Sequence, residues 1–210
     1  MVRPRLKRPP ALVRRVYADH IEHFGEPARA VMYDASTRTP EAPEAPDLLV
    51  MVWRPEKGCP MTTFATIGAS TRAMPGTTRR IELHFSVRGR LPAKVEDAVT
   101  RFLANLSIYP WDQRQVLGWW HTLSSVGEIP GFPKCCAILL HPRFTEKGWD
   151  TVKHGRTEVR LLNAVPITEN ELEVARVDLS ALVGRWAEDE IDIFVDRKRQ
   201  GRKPSRRARR

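Results

Sequence analysis

Residues 80–87 read RIELHFSV, and the apolar residues of this stretch fall at every second position. Between them lie the polar residues Glu82, His84 and Ser86. A period of two is that of a β-strand, in which successive side chains point to opposite faces of the sheet. The stretch therefore predicts a half-buried antiparallel strand, and it is the clearest element of the chain.

Three further strands and one helix are predicted on the N-terminal side of this stretch. Residues 48–53 are continuously apolar, as in a strand that is buried on both faces. Residues 62–67 are rich in β-branched side chains, and residues 28–33 form a candidate first strand. Apolar residues recur at helical spacing over residues 12–24, and Gly25 ends that helix.

On the C-terminal side the apolar residues change to the period of a helix. Pro92 is expected in the first turn of this helix, and Pro110 is expected to stop it. A short helical turn is predicted after Trp111 and as far as Leu117. Two buried strands are predicted further along the chain, at residues 135–140 and 157–165.

Two helices are predicted at the end of the folded part of the chain. The spacing of Thr168 and Glu171 is that of a capping box, so a helix should start at Glu169. Asp178 is expected to cap a last helix. Because strands and helices are mixed without strict alternation, the predicted fold class is α+β, with a mixed β-sheet flanked by helices.

The net charge of +10 comes from the two ends of the chain. Residues 1–15 hold six basic residues and residues 197–210 hold nine, and neither segment contains an acidic residue. Residues 16–196 therefore hold 20 basic residues against 25 acidic ones, a net charge of −5. We predict a folded domain over residues 10–196 between basic disordered ends, 1–9 and 197–210. A groove-reading DNA-binding domain carries its positive charge on its folded face, so this distribution argues against one.

The compartment is predicted from what the chain lacks. Its apolar runs fall short of the ~18 residues that a membrane-spanning helix needs. The basic N-terminal segment is not followed by the apolar region of a secretory signal. Three cysteines, two of them adjacent at Cys135 and Cys136, do not make a disulfide framework. We expect a soluble protein of the reducing cytoplasm.

The sequence offers little for catalysis or metal binding. The candidate metal ligands are Cys59, Cys135, Cys136, His121, His141 and His154. None of them shows the CxxC, HxxxH or HExxH spacing that brings two ligands to one ion. Cys59 with His121 is a conceivable nucleophile and base, but nothing in the sequence brings them together. We therefore expect a non-enzymatic protein with no metal and no cofactor.

The most unusual cluster is aromatic and comprises Trp111, Trp119, Trp120 and His121. Two adjacent tryptophans cannot face one core from a strand, because alternate side chains point to opposite sides. One of Trp119 and Trp120 could therefore lie at a surface, where tryptophan is enriched in binding hot spots. The alternative is a turn between two packed layers that buries both rings.

Several segments match one known family in order and spacing. Residues 62–75, here called the signature segment, read TTFATIGASTRAMP, and the strand at residues 80–87 follows them. The other matching segments are His23 to Pro27, Asp47 to Pro55, Trp119 to Leu123, Cys136 to Pro142 and Val165 to Leu172. Together these segments resemble the suppressor-of-fused (SUFU) family in its bacterial single-domain form, from about Arg14 to Trp186.

The resemblance implies a SUFU-like fold and a non-enzymatic protein-binding module. Eukaryotic members of the family grip an extended peptide of Hedgehog-pathway transcription factors, and bacterial members are associated with immunity against toxins. The partner would then be a protein, such as a toxin or an extended peptide. We expect it to contact Trp111, Trp119, Trp120 and His121, with Thr66, Ser70 and Arg72 of the signature segment as further candidates.

The basic ends support a different hypothesis. The segment RKRQGRKPSRRARR, residues 197–210, has the composition of a disordered polycation that contacts nucleic acid through charge alone. The chain would then be a nucleic-acid-associated protein that acts through its termini. The alternative for these ends is a solvated tail that only improves solubility.

Overall fold

In the computed structural model, which describes residues 9–34, 47–142 and 148–188, eight strands form one mixed sheet with four helices packed on its faces. The strands are β1 (Arg29–Tyr33), β2 (Leu48–Trp53), β3 (Met61–Ile67), β4 (Arg80–Arg88), β5 (Thr122–Leu123), β6 (Cys135–His141), β7 (Thr151–His154) and β8 (Thr157–Thr168). The helices are α1 (Ala11–Phe24), α2 (Ala93–Asp112), α3 (Glu169–Val177) and α4 (Leu179–Glu188). The fold is therefore α+β with a mixed sheet, as the sequence predicts.

The order of strands across the sheet is β1-β2-β3-β4-β8-β6-β5. Neighbouring strands are antiparallel except β4 and β8, which run parallel, with Arg80 beside Val159. The side of β8 that faces away from β4 is shared by two strands. β7 pairs with its first part and β6 with its last part, so a gap in the ladder falls at Leu161 and Leu162. β7 itself was missed by sequence reasoning, because four residues are too few to show a period.

Strand β4, which the sequence pattern predicts most clearly, is buried along both faces. The expectation that one of its faces is exposed to solvent is wrong. The apolar side packs in the main core, and Glu82, His84 and Ser86 on the other side are buried as well. Each of these polar side chains has a polar partner, as buried polar groups require. For example, the hydroxyl groups of Ser86 and Thr63 lie 3.1 Å apart.

Helices cover both faces of the sheet. On one face α2 packs Val99, Phe102 and Leu103 into the largest apolar cluster. On the other face α1 contributes the fully buried Val16. Further along that second side, α3 and α4 cover β6 and β8 with the apolar side chains Leu172, Leu182 and Trp186.

Helix α2 begins at Ala93, so Pro92 precedes the helix as its N-cap and does not lie in its first turn, and Pro110 does not stop it. The helix continues for two residues to Asp112, because a proline in the last turn removes only one backbone donor. Its final bond runs from Gln113 N to Tyr109 O, at 2.9 Å. The helical turn predicted between Trp111 and Leu117 is therefore wrong beyond Asp112, and the backbone of residues 114–118 is not helical.

The helix starts near the end of the described chain follow the sequence closely. The Thr168 N–H donates to Glu171 Oε2 at 2.9 Å, which completes the capping box of α3. Asp178 Oδ1 accepts the Ala181 N–H at 3.1 Å at the start of α4. Glu171 also accepts the Trp186 indole N–H at 3.0 Å, so one carboxylate joins the two helices.

The predicted basic ends, residues 1–9 and 197–210, lie outside the described residues except for Pro9. The predicted boundaries of the folded domain therefore remain predictions. Within the described ranges, none of the helices has the length and apolar character needed to span a bilayer.

Candidate functional site

The chain makes a tight turn at Gly118–His121, here called the aromatic turn, just before strand β5. The His121 N–H donates to Gly118 O at 3.4 Å, and Trp119 and Trp120 occupy the two central positions. Trp120 has a φ of +71°, in the left-handed region that favours glycine. A non-glycine residue there is strained by about 1 kcal/mol, and such residues are found preferentially at functional sites.

Backbone hydrogen bonds to β6 hold the aromatic turn in this conformation. The Trp120 N–H donates to Leu140 O at 2.5 Å, and the Leu140 N–H donates to His121 O at 2.9 Å. β5 follows at once and pairs Thr122 with Leu139. The turn is therefore a rigid extension of the sheet edge.

Trp119 points inwards and is half-buried. Its indole N–H donates to Leu161 O at 3.1 Å, in the gap between the parts of β8 that pair with β6 and β7. The Leu161 N–H in the same gap donates to Asp150 O at 2.8 Å. The Arg160 guanidinium lies 4.6 Å from the centre of the Trp119 ring, a cation–π contact. Trp119 therefore completes the hydrogen bonding of the central sheet.

Trp120 points outwards and is 38% exposed. Its ring meets the His141 ring edge-on, with the centroids 4.7 Å apart. His121 beside it is also exposed. Trp111, the fourth predicted aromatic residue, is buried on α2 against Ile108. The aromatic cluster of the sequence thus divides into a surface pair, Trp120 and His121, and two rings that support the fold.

The signature segment folds around a buried carboxylate. Glu82 Oε1 accepts the N–H groups of Gly68 at 2.9 Å and Ser70 at 3.0 Å and the Ser70 hydroxyl at 2.6 Å. Glu82 Oε2 accepts the Thr66 hydroxyl at 2.6 Å. Burial raises the pKa of Glu82, and these hydrogen bonds oppose that rise. Thr66 and Ser70, expected at the partner surface, are fully buried because they hold this carboxylate, whereas Arg72 is exposed.

Gly68 permits this arrangement. Its φ is +118°, and a Cβ at this position would lie 2.8 Å from the backbone oxygen of Asp47. Only glycine fits both the conformation and the space. The signature segment thus positions a loop on the start of β4 and leaves Arg72 at the surface.

A second buried polar pair, which sequence reasoning missed, joins α1 to the sheet. His20 Nε2 lies 2.8 Å from His84 Nε2, and His20 Nδ1 lies 2.7 Å from Val16 O. Since a carbonyl only accepts, His20 carries its proton on Nδ1, so its Nε2 accepts a hydrogen bond from the Nε2–H of His84. His20 stands one helical turn after Val16 on the buried side of α1, which is the signal that could have found it.

Both histidines are neutral in this pair. Burial lowers the pKa of His20 to about 4, with a further lowering by His23 and an opposing effect of the Val16 carbonyl. Burial also lowers the pKa of His84 well below its usual value. The rings of Trp53 and Trp149 lie against His20, with centroids 6.2 and 4.9 Å away. The cluster is an anchor for α1 in the interior.

A groove of about 400 Å³, here called the arginine groove, opens where β4 and β8 begin. It is lined by Ala73, Thr77, Thr78, Arg79, Arg80, Arg156, Thr157, Glu158 and Arg160. Sequence reasoning missed it, because these arginines come from two distant segments of a body whose net charge is negative.

The described residues show little that would support catalysis or metal binding. In the described ranges no three His, Cys, Asp or Glu side chains are placed to hold a metal ion. Cys59 is exposed and Cys135 is buried. Burial, together with Glu169, whose Oε2 accepts the thiol at 3.0 Å, raises the pKa of Cys136 to about 11. A thiol with so high a pKa is a poor nucleophile at neutral pH.

The fold defines a class of protein: a single mixed sheet covered by helices on both faces. Structures of this class have been solved. One is a homologue of suppressor of fused from Neisseria gonorrhoeae FA 1090, with a TM-score of 0.59 and 14% identity over 89% of this chain and 94% of that one. A sequence model of the family described as Suppressor of fused protein (SUFU) matches residues 43–200. The chain belongs to this family.

Two further solved structures share the fold at low identity. The Sufu-Fu complex matches with a TM-score of 0.58 and 12% identity, over 87% of this chain and 84% of that one. Drosophila Suppressor of Fused matches with a TM-score of 0.54 and 13% identity, over 79% of this chain and 43% of that longer one. No curated protein matches the sequence. The resemblance found in the sequence and the SUFU-like fold that it implies are both confirmed.

Proposed function

We propose that this chain is a non-enzymatic protein-binding domain whose partner contacts the aromatic turn. The observation that carries the proposal is Trp120, an exposed ring held in a strained conformation at a rigid sheet edge. A large ring that is already ordered loses little conformational entropy on binding, and tryptophan is enriched among residues that dominate interfaces. His121 provides a polar group beside it, and Arg72 is a further exposed candidate.

The family supports the proposal. The suppressor of fused family is known for protein binding, and one solved relative is a complex of Sufu with Fu. Strand β5 follows the aromatic turn directly. Within the described residues, it is the last strand at one edge of the sheet. An extended segment of a partner could pair along this edge, with main-chain hydrogen bonds for affinity and Trp120 for specificity.

The more specific form of the proposal is an immunity protein that neutralises a toxin by direct binding. Residues 16–196 carry a net charge of −5, which would speed the approach of a basic partner such as a nuclease toxin. The test is growth of cells that express the protein encoded beside this gene. Co-expression of the full chain should restore growth, and a Trp120→Gly variant should not.

Binding itself is tested with matched variants of the full chain. Trp120→Gly and Tyr17→Ala each remove an aromatic ring of nearly equal exposure, 38% and 39%. A partner retained by the wild type should bind the Trp120 variant about 30-fold more weakly, as for a hot-spot residue of about 2 kcal/mol. The Tyr17 variant should bind like the wild type. Equal affinity of the two variants would refute the proposed surface.

A second candidate function rests on the ends of the chain. Nine basic residues without an acidic one in residues 197–210 would favour contact with nucleic-acid phosphates. That function predicts affinity for DNA or RNA that falls steeply with salt and disappears when residues 1–9 and 197–210 are deleted. Binding that persists without both ends would rule it out.

A further inference from the structure

The arginine groove collects positive charge in a part of the chain that is negative overall. Four arginines and one acidic residue, Glu158, line it, so its lining carries a net charge of +3. Residues 16–196 as a whole carry −5. Like charges that share a small groove repel one another, and an anion in the groove would relieve that repulsion.

The topology of the sheet builds the groove. The parallel pairing of β4 with β8 sets Arg80 beside Val159, so the loop before β4 meets the turn between β7 and β8. Arg79 comes from the loop and Arg156 from the turn. Because both segments are anchored by the central strands of the sheet, the groove has a fixed base.

The four guanidinium groups fall into two kinds. Arg80 donates to Ser70 O at 2.8 Å and Thr71 O at 2.7 Å, and Arg160 lies over the Trp119 ring and 3.7 Å from Glu158. Arg79 and Arg156 are exposed, and the described residues place no carboxylate against either of them. Two arginines thus shape the groove, and two present open donors. A guanidinium fork matches a carboxylate in size and geometry.

Arg160 links the arginine groove to the aromatic turn. Arg160 lines the groove, and its guanidinium lies 4.6 Å from the centre of the Trp119 ring. Trp120 is the next residue of the turn. A partner at the aromatic turn would therefore lie near a residue of the groove lining.

The surroundings favour an acidic protein segment over a nucleic acid. A volume of about 400 Å³ is at the small end for ligand sites and suits a few side chains. A nucleic acid would have to continue across a body of net negative charge, which repels a long row of phosphates. The threonine hydroxyls of the groove add neutral donors for a carboxylate.

We propose that the arginine groove binds an acidic segment of the protein partner, with Arg79 and Arg156 as its main contacts. This inference rests on the proposed protein-binding function, because it names the chemistry of the segment that the surface would take.

The experiment measures binding of a labelled hexaglutamate peptide to the full chain by fluorescence anisotropy, at an ionic strength of about 0.15 M. A hexaglutamine peptide controls for the loss of charge, and a single-stranded oligothymidine of equal charge represents nucleic acid. The double variant Arg79→Gln/Arg156→Gln is compared with Arg101→Gln, which removes an exposed arginine of α2 outside the groove. All variants keep the basic ends, so a difference in affinity between them measures the contribution of the groove arginines to binding.

The double variant should bind hexaglutamate about fivefold more weakly or worse, and Arg101→Gln should change the affinity by less than about twofold. Hexaglutamine should bind poorly to all of them. Equal binding of hexaglutamate by the two variants would overturn the proposal. A larger loss of oligothymidine binding in the double variant would overturn it in favour of a nucleic-acid site. If the groove fails this test while a partner still depends on Trp120, the protein-binding function stands without the groove.

Discussion

Acid should break the hydrogen bond of the buried histidine pair and so weaken the packing of α1 against the sheet. His20 and His84 share one hydrogen bond, in which His84 Nε2 donates and His20 Nε2 accepts. Protonation of His20 would place two N–H groups against each other at 2.8 Å, inside a cluster of aromatic rings. The perturbation to test is therefore a fall in pH from 7.5 to 5, in the wild type and in a His20→Gln/His84→Gln double variant.

The size of the effect follows from the pKa of His20, which burial lowers from 6.5 to about 4. In this range the unfolded chain binds a proton that the folded chain does not, so stability is lost as pH falls below 6.5. The lowered pKa of His20 alone should reduce the free energy of unfolding by about 2 kcal/mol when the pH falls from 7.5 to 5. The lowered pKa of His84 acts in the same direction. The raised pKa of Glu82 acts in the opposite direction, and it is present in both proteins.

The assay is urea denaturation followed by tryptophan fluorescence at several values of pH. The free energy of unfolding of the wild type should fall by at least about 2 kcal/mol more than that of the double variant over this range. The variant is expected to be less stable than the wild type at pH 7.5, so the comparison uses the change with pH within each protein. Parallel pH curves for the two proteins would refute the assignment of two neutral buried histidines.

Three further predictions concern the loops around the sites, and each is measured by urea denaturation. Trp120→Gly should be more stable than Trp120→Ala by about 1 kcal/mol, because both variants lack the ring but only glycine tolerates the φ of +71°. Equal stabilities of the two variants would contradict the backbone strain at this turn. Glu82→Ala should destabilise the fold by about 3 kcal/mol or more, because it leaves buried donors unpaired. Glu82→Gln should lose less than half as much stability, since it keeps an acceptor for Gly68 and Ser70. Similar losses of stability in the two variants would show that packing alone matters at this position. Gly68→Ala should destabilise by about 2 kcal/mol or more through its contact with Asp47 O; a neutral effect would show that the loop is free to move.

The fold could be predicted largely from local patterns. Period two identified β4, continuous apolar runs identified β2, and the capping box identified the start of α3. These signals succeed because they record which side chains must be buried or which backbone groups must be capped. They fail where tertiary packing decides, as at Pro110, where burial of the last turn carries α2 past a residue that usually ends a helix.

The candidate site was predictable only in part. The sequence shows that Trp119 and Trp120 are unusual, but their opposite directions depend on a turn that the hydrogen bonds to Leu140 fix. The arginine groove joins residues some 75 positions apart through the parallel pairing of β4 with β8. No local pattern records such a pairing, because it depends on the order of strands across the whole sheet.

The most direct test of the proposed function is quantitative mass spectrometry of the proteins retained by the immobilised full chain, its Trp120→Gly variant and its Tyr17→Ala variant. The proposal predicts a protein that the wild type and the Tyr17 variant retain and the Trp120 variant loses. Retention of the same proteins by all three chains would contradict it.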